Sequence, residues 1–515
     1  MLQLKNITIT HTGDERCLLK DFSFTPYEGE KIAVVGEEGN GKSTLLKLMH
    51  DPALLDGYAS YTGTVTKGTG AKCSVTGYMS QLPDGDGMAV WEYLGNADGW
   101  CDFSPKELSR LCRELSVPEE LLYSEQKMES LSGGESVKVR LLALLALSPD
   151  ILLLDEPSND LDLEALVWLE EFIRTVPQTV IYISHDEVLL ENTAQCVIHI
   201  EQIMRKTEPK VTVSRTGYRE YMETRGLLIE KSAQMAKNDR DRFEKKMEKY
   251  RRIFERVQFE QNAISRQNPG GGRLLKKKMH SVKAMGRRFE KEEENLTKKI
   301  DAEEAVMIGF QEVHVPRGKV ILELSLDELR AGDNPHGRLL AENIRLTVMG
   351  GESVVITGPN GCGKSTLIKK IAAELLGRRD IRAAYMPQDY DEHMPGEMTA
   401  VGYLTRDGSR TEETKIRTYL GSIKFTAAEM DHRIRDLSGG QRAKLYFIGM
   451  ILDGADTLIL DEPTRNLSPM TGPVIRRILS EFGGTIIAVS HDRKYIEETA
   501  DAEIPMQRIW GAEEI

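Results

Sequence analysis

Gly36-Glu-Glu-Gly-Asn-Gly41-Lys42-Ser43 and Gly358-Pro-Asn-Gly-Cys-Gly363-Lys364-Ser365 are two occurrences of Gly-x4-Gly-Lys-Ser, and their surroundings decide the fold. Each follows a short apolar run, Lys31-Ile-Ala-Val-Val or Ser353-Val-Val-Ile-Thr, and each is followed by Thr-Leu at the head of a helical stretch. The predicted order is therefore strand, loop, helix. Glycines let backbone N–H groups wrap an anion, and the helix N-terminus adds positive potential. Gly36, Gly39, Asn40, Gly41, Lys42, Ser43 and Thr44 form the first predicted phosphate cradle. Gly358, Asn360, Gly361, Gly363, Lys364, Ser365 and Thr366 form the second. Lys42 and Lys364 would reach terminal phosphates, with Ser43 and Ser365 on Mg²⁺.

The repetition extends beyond the loops. Leu131-Ser132-Gly133-Gly134-Glu135 matches Leu437-Ser438-Gly439-Gly440-Gln441, and Leu152-Leu-Leu-Asp155-Glu156-Pro157 matches Leu458-Ile-Leu-Asp461-Glu462-Pro463. Ser184-His185-Asp186 matches Ser490-His491-Asp492. Ser132 to Asp155 and Ser438 to Asp461 both span 23 residues, and each Asp precedes its His by 30. Equal intervals across several motifs mark an internal repeat. The predicted fold is α/β, with the same phosphate-loop domain present twice.

The acidic pairs end buried apolar strands. In each, the Asp (Asp155, Asp461) suits a Mg²⁺ contact, and the following Glu (Glu156, Glu462) suits orienting or deprotonating a water. Gln81 and Gln388 follow the strands Tyr-Met-Ser and Tyr-Met-Pro, where they fit sensing of metal and γ-phosphate. A single histidine at a strand end is most often structural. The repeated offset of His185 and His491 favours a γ-phosphate contact instead.

A length of 515 residues exceeds what one hydrophobic core supports. No run approaches the ~18–20 apolar residues of a membrane span. Met1-Leu-Gln-Leu-Lys-Asn lacks the pattern of a signal peptide, and six scattered cysteines show no Cys-x-x-Cys. Reduced thiols in a cytoplasmic protein are expected.

The net charge of −13 conceals a split. Residues 231–299 hold 21 Lys/Arg against 10 Asp/Glu, a local +11, which leaves −24 elsewhere. Heptad-like apolar positions run through Phe243, Met247, Tyr250, Phe254, Val257 and Ile264, then through Leu275, Met279, Val282, Met285, Phe289, Leu296 and Ile300. Asn268-Pro269-Gly270-Gly271-Gly272 interrupts them once. The segment therefore reads as a helical hairpin, with a first helix over about 222–266 and a return helix from about Leu274. About 45 residues would give an arm of roughly 65 Å. Between Glu260 and Glu290 stand eight basic residues and no acidic one: Arg266, Arg273, Lys276, Lys277, Lys278, Lys283, Arg287 and Arg288. A solvated spacer would mix signs, as Asp239-Arg240-Asp241-Arg242 does. An unmixed basic tip favours a polyanion backbone. The expected domains are 1–205 and 306–515 for the two copies, with 206–305 as the linker.

The Leu-Ser-Gly-Gly signature, together with the phosphate loops and acidic pairs, resembles the ABC ATPase superfamily. The resemblance implies two ABC-type ATPase domains that bind ATP and Mg²⁺, each signature closing over nucleotide held by the other domain. On that basis Lys42, Ser43, Asp155 and Glu156 pair with Ser438 and Gly440. Lys364, Ser365, Asp461 and Glu462 pair with Ser132 and Gly134, within one monomeric chain. Tandem cassettes without a membrane domain, joined by a basic-tipped helical hairpin, resemble the ABC-F family. That likeness implies a bacterial ribosome partner, with rRNA and tRNA contacts near the peptidyl-transferase region and no DNA. The segment from Asn268 and the run Asp461-Glu-Pro-Thr-Arg-Asn-Leu-Ser468-Pro469 are similar to the branch that protects ribosomes from lincosamides, streptogramin A and pleuromutilins. A housekeeping translation factor is the alternative. Transport and DNA-repair roles fit less well, since no use for the arm follows from the first and no zinc Cys pair supports the second. Glu37-Glu38 replaces the family's common Pro-Asn and implies weaker nucleotide binding there. Ser468 stands where the first copy has Asp162, implying unequal communication between sites. His11 is the candidate for adenine stacking in the first copy, and the second offers none.

Overall fold

The computed structural model describes residues 2–13, 15–68, 74–81, 85, 87–203, 208–263, 269–294, 313, 315–331, 337–390, 394–465 and 467–509. Met1–Tyr218 and Glu303–Ile515 form one compact unit, and Arg219–Ala302 form another. The first unit contains both sequence copies, and each copy is built on a mainly parallel sheet.

In the first copy the strand order is Thr76–Met79, Ile151–Asp155, Thr179–Ile183, Lys31–Gly36, Cys196–Ile203, Glu208–Ser214. In the second it is Ala383–Met386, Thr457–Asp461, Thr485–Val489, Ser353–Thr357, Ala502–Pro505. The central strands are buried along their whole length, as parallel strands covered on both faces must be. Parallel register places Asp155 beside Ile183 and Asp461 beside Val489, so the acidic strand, the histidine strand and the loop strand end on the same edge. Ligands of open parallel sheets bind at that carboxyl edge.

An antiparallel sheet flanks each core: Cys17–Phe24, Leu2–His11 and Ala59–Lys67 in the first copy, Val320–Arg330 and Leu339–Met349 in the second. Their inward residues, such as Leu4, Ile9 and Leu19 or Ile321, Ile344 and Val348, close the core over the helix that follows each phosphate loop. Those helices, Lys42–His50 and Lys364–Leu376, start at Gly41 and Gly363, both left-handed (φ 89° and 103°). Added Cβ atoms there would press on Leu18 and on Leu340, so glycine is required by both backbone angle and space.

The second unit is a helical hairpin of Tyr218–Ala263 and Pro269–Glu294. Val257, Met279 and Val282 are buried along its seam, flanked by Tyr250 and Phe254. Phe289 packs edge-on to Tyr250, with ring centroids 5.7 Å apart. The return helix begins at Pro269, not near Leu274. Proline is pre-set for the first helical position, where its missing N–H costs nothing, so the glycines join the first turn instead of forming the tip. Arg273, Lys276, Lys277, Lys278, Lys283, Arg287 and Arg288 are all exposed. Arg266, Ile264, Leu296 and Ile300 lie outside the described residues. The five described cysteines are free thiols, and among described residues no helix is long and apolar enough to cross a membrane.

Candidate functional site

Each phosphate loop begins where its strand ends. A Cβ on Gly36 would lie 2.3 Å from the Ile200 carbonyl oxygen, so this turn admits only glycine. Asn40 fixes the loop from inside by donating to that same carbonyl at 3.1 Å. Lys42 Nζ donates to the carbonyls of Gly36 (2.9 Å) and Glu37 (3.0 Å), and Lys364 Nζ to those of Gly358 and Pro359 (both 2.8 Å). Burial lowers the pKa of both ammonium groups, against the pull of Glu156 and Glu38 on Lys42 and of Glu462 on Lys364. A buried cation satisfied only by loop carbonyls is a site prepared for phosphate oxygens.

The two acidic pairs share a backbone and differ in their side-chain partners. Glu156 and Glu462 both sit at φ 52°, a left-handed angle uncommon for a residue with a Cβ, and both donate N–H across to the histidine strand. In the first copy Ser43 Oγ donates to Asp155 Oδ1 (3.0 Å) and Tyr78 O–H to Asp155 Oδ2 (3.2 Å). Gln81 Nε2 and Asn159 Nδ2 donate to Glu156 Oε2 at 2.8 and 2.6 Å, and His185 Nε2 lies 3.0 Å from Glu156 Oε1. Burial opposes ionisation of Glu156, but its bonds to His185 and Asn159 and the charge on Lys42 outweigh it, and its pKa falls to about 2.

In the second copy Ser365 Oγ is 3.4 Å from Asp461 Oδ1, and His491 Nε2 is 3.8 Å from Glu462 Oε1. Burial and the neighbouring Asp461 push Glu462 up to about 8; burial and Lys364 push His491 down to about 4. Among the described residues, Asp461 Oδ2 and His491 Nδ1 are buried without a hydrogen-bond partner. A bare carboxylate oxygen beside a serine hydroxyl is the donor set a hard divalent cation takes, so these residues fit Mg²⁺. Gln388 lines the same cavity, of roughly 510 Å³, together with Gly361, Gly363, Lys364, Ser365 and Thr366.

The copies face each other. The first loop meets the opposite signature: Glu38, Gly39 and Asn40 line one cavity with Ser438 and Gly440. The cavity at the second loop has different walls. The Lys364 cavity is lined from the other side by Ser158, Asn159, Asp160, His185 and Asp186, and neither Ser132 nor Gly134 is among its walls. Instead Asn360 Nδ2 donates to the Asp160 carbonyl at 2.7 Å, and Arg465 pairs with the Asp160 carboxylate. Gly133 packs so tightly on that carbonyl that a Cβ would come within 2.2 Å. In the signature of the first copy, Gly133 thus packs on its own Asp160 turn, while Ser132 stays exposed. His185 Nδ1 reaches the Leu467 carbonyl across the interface at 3.0 Å, linking the Glu156 site to the other copy.

Sequence reasoning missed Tyr78, Asn159, Arg465 and the bridge to Leu467. Asn159 and Arg465 each stand four residues after their Asp, so aligning the two copies exposes the difference. The hairpin position matching His11 in the second copy is Ala331: both donate N–H across their turns, to Arg16 and Arg338, and Ala331 lines the cavity.

Comparison with known proteins agrees with this architecture. The family model described as ABC transporter matches residues 19–159 and 341–465, just over half of the chain. The chain belongs to the ABC family of ATPases, and the relatives it resembles are ABC-F proteins. It is 27% identical to the "Ribosome protection protein VmlR" of Bacillus subtilis (strain 168), covering 97% of this chain and 86% of that protein. It is also 27% identical to the "Energy-dependent translational throttle protein EttA" of Escherichia coli (strain K12), over 94% of this chain and 88% of that one. Among solved structures it resembles the archaeal ribosome recycling factor aABCE1, crystallised with the stalk protein aP1, with TM-score 0.59 and 18% identity over 97% and 87% of the two chains. That last likeness concerns the fold. The activity of the cassettes is ATP hydrolysis to ADP and phosphate.

Proposed function

We propose that this chain is a cytoplasmic ATP-driven protein that binds the bacterial ribosome, extends the helical unit Arg219–Ala302 toward the peptidyl-transferase region, and leaves after hydrolysis. The observation that carries the reading is the combination of two facing ATPase cassettes with a helical hairpin whose described basic residues are all exposed. The names of its relatives, a ribosome protection protein and a translational throttle, support the same partner.

Bound Mg²⁺ would neutralise charge developing on the β- and γ-phosphates. Ser43 with Asp155, and Ser365 with Asp461, are the residues to hold it, with Gln81 and Gln388 beside them. Lys42 and Lys364 exchange loop carbonyls for phosphate oxygens. Glu156 and Glu462 orient the attacking water, His185 holds Glu156 in place, and both His185 and His491 are placed to contact the γ-phosphate. The arm residues Arg273, Lys276, Lys277, Lys278, Lys283, Arg287 and Arg288, with Arg266, contact rRNA and tRNA backbone, where closely spaced cations are most effective.

Protection against bound antibiotics is the finer reading, and a general translation factor is its rival, since VmlR and EttA are equally similar. Cell-free bacterial translation arrested by a lincosamide or a pleuromutilin separates them. Restored synthesis on adding the protein with ATP is the expected result. Continued arrest, with drug-free synthesis altered by the protein, would transfer the assignment to the translation factor.

A further inference from the structure

Glu37 and Glu38 place two carboxylates inside a loop built to hold phosphate, and both reach across to the other copy. Glu38 Oε2 accepts from the Gly440 N–H at 3.0 Å. Gly440 lies in the first turn of helix Gly439–Leu452, where unpaired N–H groups and the helix dipole favour an anion. Glu37 Oε1 is paired with Lys424 Nζ at 3.0 Å, with both side chains about three-quarters covered. The other phosphate loop is an internal control. At the matching positions it has Pro359 and Asn360, and Asn360 donates to a backbone carbonyl instead of presenting an anion.

A triphosphate held by Lys42 would extend its terminal phosphate toward the same first-turn N–H. A carboxylate and a terminal phosphate on that one N–H repel each other as like charges, so each excludes the other from it. A diphosphate ends one phosphate earlier and leaves the carboxylate where it is. We propose that Glu38 is a specificity-determining residue: it stands in for a terminal phosphate on the opposing signature, so the Lys42 site closes without triphosphate and selects nucleoside diphosphate. Glu37 and Lys424 hold the loop in that position. The two sites then differ in ligand: the Lys364 site takes triphosphate, while the Lys42 site admits it only after the Glu38–Gly440 contact breaks.

This inference rests on the reading of Lys42 and its loop as a nucleotide site. The test uses the full chain carrying Lys364→Ala, so that only the first site binds, with fluorescent ADP and a non-hydrolysable ATP analogue as probes. Tighter binding of ADP is expected, and adding Glu38→Gln should shift the ratio toward the triphosphate by about tenfold, as loss of a charge-assisted hydrogen bond and one negative charge implies. Lys424→Met, outside the loop, should move the ratio the same way by a smaller factor. A ratio that favours triphosphate from the start, or that neither substitution changes, overturns the proposal alone. If neither probe binds the Lys364→Ala chain, the proposal falls together with the reading of the first phosphate loop.

Discussion

His185 and His491 occupy the same place in the repeat but have different surroundings. His185 lies between Glu156 and the Leu467 carbonyl, with contacts of 3.0 Å on both ring nitrogens, while His491 leaves Nδ1 buried and unpartnered among the described residues. Compared one site at a time, in chains where Lys364→Ala or Lys42→Ala leaves a single site, His185→Ala should therefore lower ATP turnover at the Glu156 site by on the order of 10²-fold, and His491→Ala should lower it at the Glu462 site by distinctly less. Equal losses would contradict the asymmetry. The repeated motif made both histidines legible, because a matching offset needs no knowledge of packing. Their inequality was not legible, since it depends on a carbonyl 282 residues away in sequence. The contact of Glu38 with Gly440, 402 residues apart, was hidden for the same reason. Sequence did mark Glu37-Glu38 as unusual, but not where the carboxylates point. Tyr78 escaped notice because an aromatic residue in a buried strand ordinarily signals packing, and its O–H is the part used here.

Elements were legible to different degrees. Apolar runs ending in Gly36, Asp155, Thr357 and Asp461 are strands in the structure, since continuous burial leaves a plain signature in sequence. The turn of the hairpin was harder to place, because Pro-Gly-Gly-Gly suits both a loop and the first turn of a helix. The arm's charges belong to this scale. Lys276, Lys277 and Lys278 lie on consecutive positions of Pro269–Glu294, so they fan around the helix and cannot all serve one intrahelical partner. Replacing all three with Gln should weaken ribosome binding and reduce the slope of log affinity against log salt by about two. An unchanged slope would remove these lysines from the RNA contact. Val257→Asp tests the arm as an element, by placing a charge in the seam with Met279 and Val282. It should melt the hairpin, seen as lost helical circular dichroism, while ATP binding by the cassettes persists.

At the scale of the molecule, the two cassettes are joined by ion pairs as well as by their nucleotide edges. Arg476, buried in the second copy, makes a fork-like pair with Glu187 of the first at 2.8 and 3.1 Å, and its Nε donates to Glu498 at 2.8 Å. Burial raises the Glu187 pKa against the pull of Arg476, so the carboxylate depends on that partner to stay charged. Arg476→Met alone should cost about 3–5 kcal/mol, read as a lowered denaturation midpoint. Pairing it with Glu187→Met should recover much of the loss; additive losses would show that the pair does not act as a unit. The proposed function requires that binding to the ribosome depend on bound ATP and that hydrolysis release it. The most direct measurement is co-sedimentation of the Glu156→Gln/Glu462→Gln chain with bacterial ribosomes, with and without ATP. Recovery with ribosomes that depends on ATP, and exceeds that of the unsubstituted chain, is the predicted result. Absence of the ATP-bound variant from the ribosome fraction would contradict the proposed function.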